Sequence, residues 1–130
     1  MSRKEYAVLI AYWVLAGILA VLYLMAGSQK VYKSKETLLD AGLAWAKSFP
    51  AWAIKAIGAL EIAGAVGLLM PALTKTSTLL APLAALGLAL LQVGAVVLHL
   101  RRGETNIIAM NIVLLLMAAA ATWLGFTFWT

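Results

Sequence analysis

Three runs of this chain, residues 6–29, 76–100 and 105–130, contain no charged side chain if His99 is neutral. About 20 apolar residues wound as a helix cross the hydrocarbon core of a bilayer, and each run reaches that length. A fourth stretch, residues 52–73, is as long but holds Lys55 and Glu61. In lipid every backbone N–H and C=O must find a partner within the protein, and a helix satisfies this by itself. The expectation is an all-α fold, a four-transmembrane-helix bundle with spans at about 6–29, 52–73, 76–100 and 106–129, in a single membrane domain of residues 1–130. Composition agrees, with 65% apolar and 12% charged residues where soluble domains have roughly 45–50% and about 25%. An ordinary soluble enzyme, a disordered chain and a secreted disulfide scaffold are excluded. The cysteine count of zero removes disulfides, thiolate nucleophiles and iron–sulfur clusters. Arg3 and Lys4 ahead of the first run imitate a signal peptide. The run is longer than an h-region, however, and Met25-Ala26-Gly27-Ser28 is a poor cleavage site, so it reads as a retained helix.

The connections are unequal. Residues 71–77 and 101–106 form short turns, which makes the second, third and fourth spans antiparallel neighbours. Residues 28–51 are longer and patterned. Glu36, Asp40, Ala44 and Lys47 recur at helical spacing, and Leu38, Leu39, Leu43, Trp45, Ala46 and Phe49 fill the other positions. This predicts an amphipathic interfacial helix ended by Pro50, with Trp45 and Trp52 at headgroup depth. It is either a connector packed on the bundle end or a lid. Arg3, Lys4 and Lys75 fall on one membrane face. Lys30, Lys33, Lys35, Lys47, Arg101 and Arg102 fall on the other, with Lys55 close by. The positive-inside rule puts the basic loops (residues 30–47 and 101–102) of a multi-pass cell-membrane protein in the cytoplasm, although Arg3 and Lys4 pull the other way. Topology accounts for the net charge of +5, so nucleic acid is not an expected partner; the lipid bilayer is.

Ionisable groups within a membrane are costly and are functional candidates by default. At ~1.5 Å per residue, Glu61 and Gln92 lie near mid-span, Asn111 lies somewhat nearer the basic face, and His99, Lys55 and Lys30 lie nearest to it. The other half offers Tyr12, Trp13, Thr122 and apolar residues. A polar pocket opening toward the basic face is therefore expected, lined by Glu61, Gln92, His99, Lys30 and Asn111. Glu61 is either interhelical glue or a ligand-facing, proton-active carboxyl. Lys55, about 120° round the helix from it, is a poor partner and should snorkel to the headgroups. His99 near a helix end meets headgroups or caps carbonyls, and Asn111 acts as a hydrogen-bonding staple. One histidine and no cysteine supply too few metal ligands. Tyr6, Tyr23, Tyr32, Trp52, Trp123 and Trp129 read as the interfacial aromatic belt, and Gly87 and Gly94 as packing residues. No catalytic residue is identifiable, because phosphate loops, dinucleotide fingerprints and hydrolase triads are missing.

Several of these residues stand in a familiar order. Ala26-Gly27-Ser28-Gln29-Lys30-Val31 resembles the Ala-Gly-x-x-Lys-Leu motif of the DoxX-like membrane proteins. The stretch from Ile57-Gly58-Ala59-Leu60-Glu61 through Gly64-Ala65-Val66-Gly67-Leu68 to Pro71 is similar to that family's Ile-Gly-x-x-Glu-x-x-Gly-Ala-x-Gly-Leu-x-x-Pro. Pro82-Leu83-Ala84-Ala85 and Gly94 through His99 to Arg101-Arg102-Gly103-Glu104 resemble its third helix and following turn. The resemblance implies a compact four-helix bundle and implies that Lys30, Glu61 and His99 belong to the family pattern. It associates the chain with quinone- and sulfur-linked redox complexes, oxidative-stress complexes and assembly roles. Three functions follow as expectations. The first is a redox-associated subunit binding a quinone or other amphiphile, such as a lipid, beside redox-enzyme partner subunits. The second is a small proton-coupled transporter using Glu61 and His99, for which a homodimer is favoured. The third is a scaffold or assembly factor without chemistry. Without cysteine, sulfur chemistry belongs to a partner and independent catalysis is not expected.

Overall fold

The computed structural model describes residues 1–129. Helix α1 (Arg3–Tyr32) opens with a capping box: Ser2 Oγ accepts from the Glu5 N–H and Glu5 Oε2 accepts from the Ser2 N–H, both at 3.2 Å. This satisfies two of the donors a helix start leaves open. Helix α3 (Ala51–Thr74) starts behind Pro50, α4 (Leu80–Arg102) follows a short turn, and α5 (Ile108–Trp129) is led in by a 3-10 turn at Thr105–Ile107. The four long helices are long and apolar enough to cross a membrane. They form a ring in which α1 packs on α3 and α5, and α4 packs on the same two.

Two boundaries differ from the sequence expectation. Helix α3 continues through Pro71 to Thr74. A proline this close to a helix end removes one hydrogen bond without stopping the chain, so the turn begins at Lys75. The expected continuous amphipathic helix is instead two pieces, α2 (Lys35–Asp40) and a 3-10 turn (Ala44–Ser48). Gly42 separates them at φ +90°. Its N–H bonds to the Leu39 carbonyl and the Leu43 N–H to the Leu38 carbonyl, the Schellman pairing that stops a helix where glycine can turn left-handed. The fold folds this connector onto the bundle end, where Leu38 and Ala46 bury against Ile54, flanked by Leu43, Trp45 and Phe49.

The main core is built of small side chains. Ala16, Ala20, Ala65, Ala72, Ala81, Ala85, Ala118 and Ala121 are buried together with Tyr12, Leu19, Leu68 and Leu88. Lipid tails are as apolar as leucine, so helices in a bilayer associate by close van der Waals approach, which small residues permit. The bulky residues Leu60, Leu90, Leu116 and Trp123 point outward and are exposed on the protein surface.

Candidate functional site

The closest helix crossing places the site. A Cβ on Gly27 would lie 2.6 Å from the Gly58 carbonyl oxygen, and one on Gly58 would lie 2.7 Å from that of Gly27. At this point α1 and α3 touch backbone to backbone, which only glycine allows. The two helices run antiparallel, with Lys30 Cβ packed on Gly58 and Glu61 Cβ on Gly27, so the long lysine side chain has about one helical turn to span to the carboxylate. Lys30 Nζ lies 2.6 Å from Glu61 Oε1, with side chains 16% and 7% exposed. The interhelical partner of Glu61 is thus Lys30. Lys55, rejected as its partner, donates instead to the Val31 carbonyl at 2.7 Å. It caps the C-terminal end of α1, where a cation is favoured, while remaining exposed.

Farther along the ring, α3 and α4 touch where Leu88 sits against Gly64 and Ala84 against Gly67. Toward the basic end the space between them is a cavity of about 350 Å³. Its walls carry Lys30, Glu61, Gln92, His99 and Asn111, the five polar residues expected to share a pocket. Leu90, Leu91, Gly94, Ala95 and Leu98 supply the α4 wall, Ile57 part of the α3 wall, and Trp45 and Phe49 close in from the connector. The Trp45 ring lies 5.5 Å from Lys30 Nζ, a cation–π contact.

Gln92 is 7% exposed, and its Nε2 donates to the Tyr23 hydroxyl at 2.6 Å. Its Oε1 is buried without a hydrogen-bond partner among the described residues. His99 Nδ1 lies 3.1 Å from Glu104 Oε1, the same oxygen that accepts from Arg102 Nε at 2.9 Å. Arg102 Nη1 in turn donates to Ser48 Oγ at 2.8 Å. A relay of four side chains therefore joins the cavity wall to the connector. The hydrogen bond from His99, helped by the Arg102 guanidinium, holds the Glu104 carboxyl below its ordinary value of 4.5. Asn111 bonds the Ile107 carbonyl of its own helical stretch at 3.3 Å, so it does not staple helices together.

Sequence reasoning missed five parts of this arrangement. Tyr23, assigned to the aromatic belt, is 2% exposed and sits inside the bundle beside Gln92. The signal was its register: Tyr12, Ala16, Leu19, Tyr23, Gly27 and Lys30 step by three and four residues along one face of α1. Trp129, also assigned to the belt, packs edge-on against Tyr12 and Trp13 at the far end. Trp45 lines the cavity, and Tyr6, Tyr32, Trp52 and Trp123 are exposed. Gly87 and Gly94 are not packing residues, since a Cβ on either meets no atom within 4 Å. His99 meets the Glu104 carboxylate rather than backbone carbonyls.

Fold and site together define a small multi-pass membrane protein, a four-helix bundle with an ion pair and a polar cavity in one half. The model of the DoxX-like family matches residues 14–121, and the chain belongs to that family. All five polar cavity residues lie within the matched range. No curated protein and no solved structure matches the chain.

Proposed function

We propose that this protein is a membrane-embedded binding subunit of a redox system, holding the headgroup of a quinone or similar carbonyl- and hydroxyl-bearing amphiphile in the cavity at its basic end. The observation that carries this reading is the Gln92 amide, which belongs to a residue lining the 350 Å³ cavity and whose Oε1 is buried without a hydrogen-bond partner among the described residues. An unmet buried acceptor costs about 1–3 kcal/mol, and a ligand hydroxyl would recover that. A cavity of this volume stands at the small end of ligand sites, which run from about 300 to 1,000 Å³, and suits a ring-sized headgroup.

The other groups complement such a ring. Lys30 has three donors; with one directed at Glu61, the others are available to a carbonyl oxygen. With Nδ1 on Glu104, His99 keeps Nε2 as the nitrogen available to a ligand, and the carboxylate fixes the tautomer. The same wall therefore offers donors to a quinone and an acceptor to a quinol. The electrons would come from a partner subunit, since this chain has no thiol or cluster ligand to carry them. On the basic-residue count, the cavity end faces the cytoplasm.

The test is to purify the protein from native membranes in polymer discs and analyse the extracted lipids by mass spectrometry. A quinone or related amphiphile is expected near one per chain, and Gln92→Leu should reduce it roughly tenfold while losing about 1–3 kcal/mol of stability with its buried hydrogen bond to Tyr23. Recovery of bulk lipid alone, identical for wild type and variant, would refute the reading. Proton-coupled uptake in proteoliposomes that Glu61→Gln abolishes would instead establish a carrier.

A further inference from the structure

Beside the polar cavity lies a second space of about 470 Å³, a groove between α3 and α4 with apolar walls. Its floor is the contact of Leu88 with Gly64. Leu60 and Leu90 flank it, and both are more than half exposed on the bundle surface. Leu90 and Leu91 line the groove and the polar cavity alike, so the two spaces adjoin along these side chains. Gly87 borders the groove and Gly94 the cavity. They stand seven residues, two helical turns, apart on one face of α4.

Gly27, Gly58, Gly64, Gly67 and Gly125 each press against a neighbour, whereas Gly87 and Gly94, like Gly17 on α1, touch nothing within 4 Å of where a Cβ would stand. Gly87 and Gly94 differ from Gly17 in bordering the groove and the cavity. A glycine inside a helix costs about 1 kcal/mol relative to alanine. At Gly27, Gly58, Gly64, Gly67 and Gly125 close helix contact offsets that cost. At Gly87 and Gly94 no such contact exists, and what the missing side chains leave is room. One glycine keeps room beside a polar cavity with an unmatched acceptor; the other keeps room beside an apolar groove continuous with it.

Resting on the reading above, we infer that the α3–α4 groove holds the apolar chain of the same amphiphile whose headgroup occupies the polar cavity. From Ala84 to His99 the combined site runs roughly 22 Å along α4 at ~1.5 Å per residue. One groove takes one chain, which suits a ring-like polar head bearing a single slender tail. The exposed flanks Leu60 and Leu90 make the route of entry sideways from the bilayer.

Two probes separate head from tail: 2,3-dimethoxy-5-methyl-1,4-benzoquinone, and its counterpart carrying a decyl chain in place of the ring hydrogen. Each is titrated into nanodiscs holding wild type, Gly87→Leu or Gly94→Leu, and retention is corrected with protein-free nanodiscs and expressed per bilayer lipid. Wild type should hold the decyl compound roughly threefold or more tighter than the chainless one. Gly87→Leu should erase that difference and leave chainless binding unchanged, whereas Gly94→Leu should weaken both. Both added side chains enter open space on a helix, so thermal stability at or above wild type shows that the fold is kept. Equal binding of the two probes to wild type, or a chain-length preference that survives Gly87→Leu, overturns the inference and leaves the headgroup reading standing. Failure of wild type to retain either probe overturns both.

Discussion

The two ends of the bundle use their polar atoms in opposite ways. At the end holding the termini, the Tyr12 hydroxyl donates to the Leu68 carbonyl at 2.7 Å and the Thr122 hydroxyl to the Ala118 carbonyl at 2.7 Å. The rings of Tyr12, Trp13 and Trp129 meet edge to face and fill the space among the helices. At the basic end, polar side chains bond to one another across helices and surround space that is left open. One end is closed by aromatic volume; the other trades volume for hydrogen-bonding capacity. Substitutions at the two ends should therefore differ in kind: at the aromatic end they should change stability alone, and at the basic end both stability and, on the proposed function, ligand retention.

The largest effect is expected at the crossing that the cavity depends on. Gly58→Val forces a side chain against the Gly27 carbonyl and the Lys30 Cβ, each 2.7 Å from the Gly58 Cβ position. Overpacking of this sort costs roughly 3 kcal/mol, so a thermal melt in detergent should show a large drop in midpoint, and copurified amphiphile should vanish with it. If the melt were unchanged, α1 and α3 would not meet there.

Next comes the ion pair. Glu61→Leu leaves the Lys30 ammonium without its carboxylate and should destabilise by about 2–3 kcal/mol, less than a fully enclosed charge would because Lys30 is 16% exposed. Adding Lys30→Met should restore most of the midpoint, because apolar replacement of both partners is nearly neutral. Ligand binding should stay lost. Recovery of binding along with stability would make the pair architectural only.

The same tyrosine-to-phenylalanine change sharpens the comparison most directly. Tyr12→Phe and Tyr23→Phe each remove one buried hydrogen bond, worth about 1 kcal/mol, so the two melts should shift alike. Only Tyr23→Phe frees Gln92 Nε2 beside the cavity, and only it should alter amphiphile retention. A matching change in Tyr12→Phe would collapse the distinction between the ends.

The smallest effect concerns Glu104. Its carboxyl titrates lower in the fold than its ordinary value of 4.5, so its contribution is fully present above that value and is lost as pH falls through the lower, folded one. The difference in melting midpoint between wild type and Glu104→Gln should therefore hold from neutral pH down to about 4.5 and fade below it. A constant difference at every pH would detach the His99–Glu104–Arg102 relay from stability.

What was legible beforehand divides along physical lines. Runs without charge set the helices, because the length of a span depends on sequence distance alone. The polar cluster was legible because depth in a membrane follows from counting residues. Gly42, read as one position of a continuous helix, was itself the break, since only glycine takes the left-handed turn without penalty. Tyr23 was obscured because an aromatic near a span end serves a belt and a buried site equally well by depth; facing decides, and facing needed the Gly27 crossing. Gly87 and Gly94 could not be told from Gly64 or Gly67 by sequence, because a glycine facing a void and one pressed against a helix omit the same atoms.

The contact of Trp45 with Lys30 gives the molecule an optical property. Trp13 and Trp129 sit at the opposite end, and Trp52 and Trp123 are exposed on the surface. Among the tryptophans, Trp45 alone lies against the cavity among the described residues. Its emission should be quenched by an electron-poor ring arriving beside it, so the protein carries its own occupancy signal, readable without any added label.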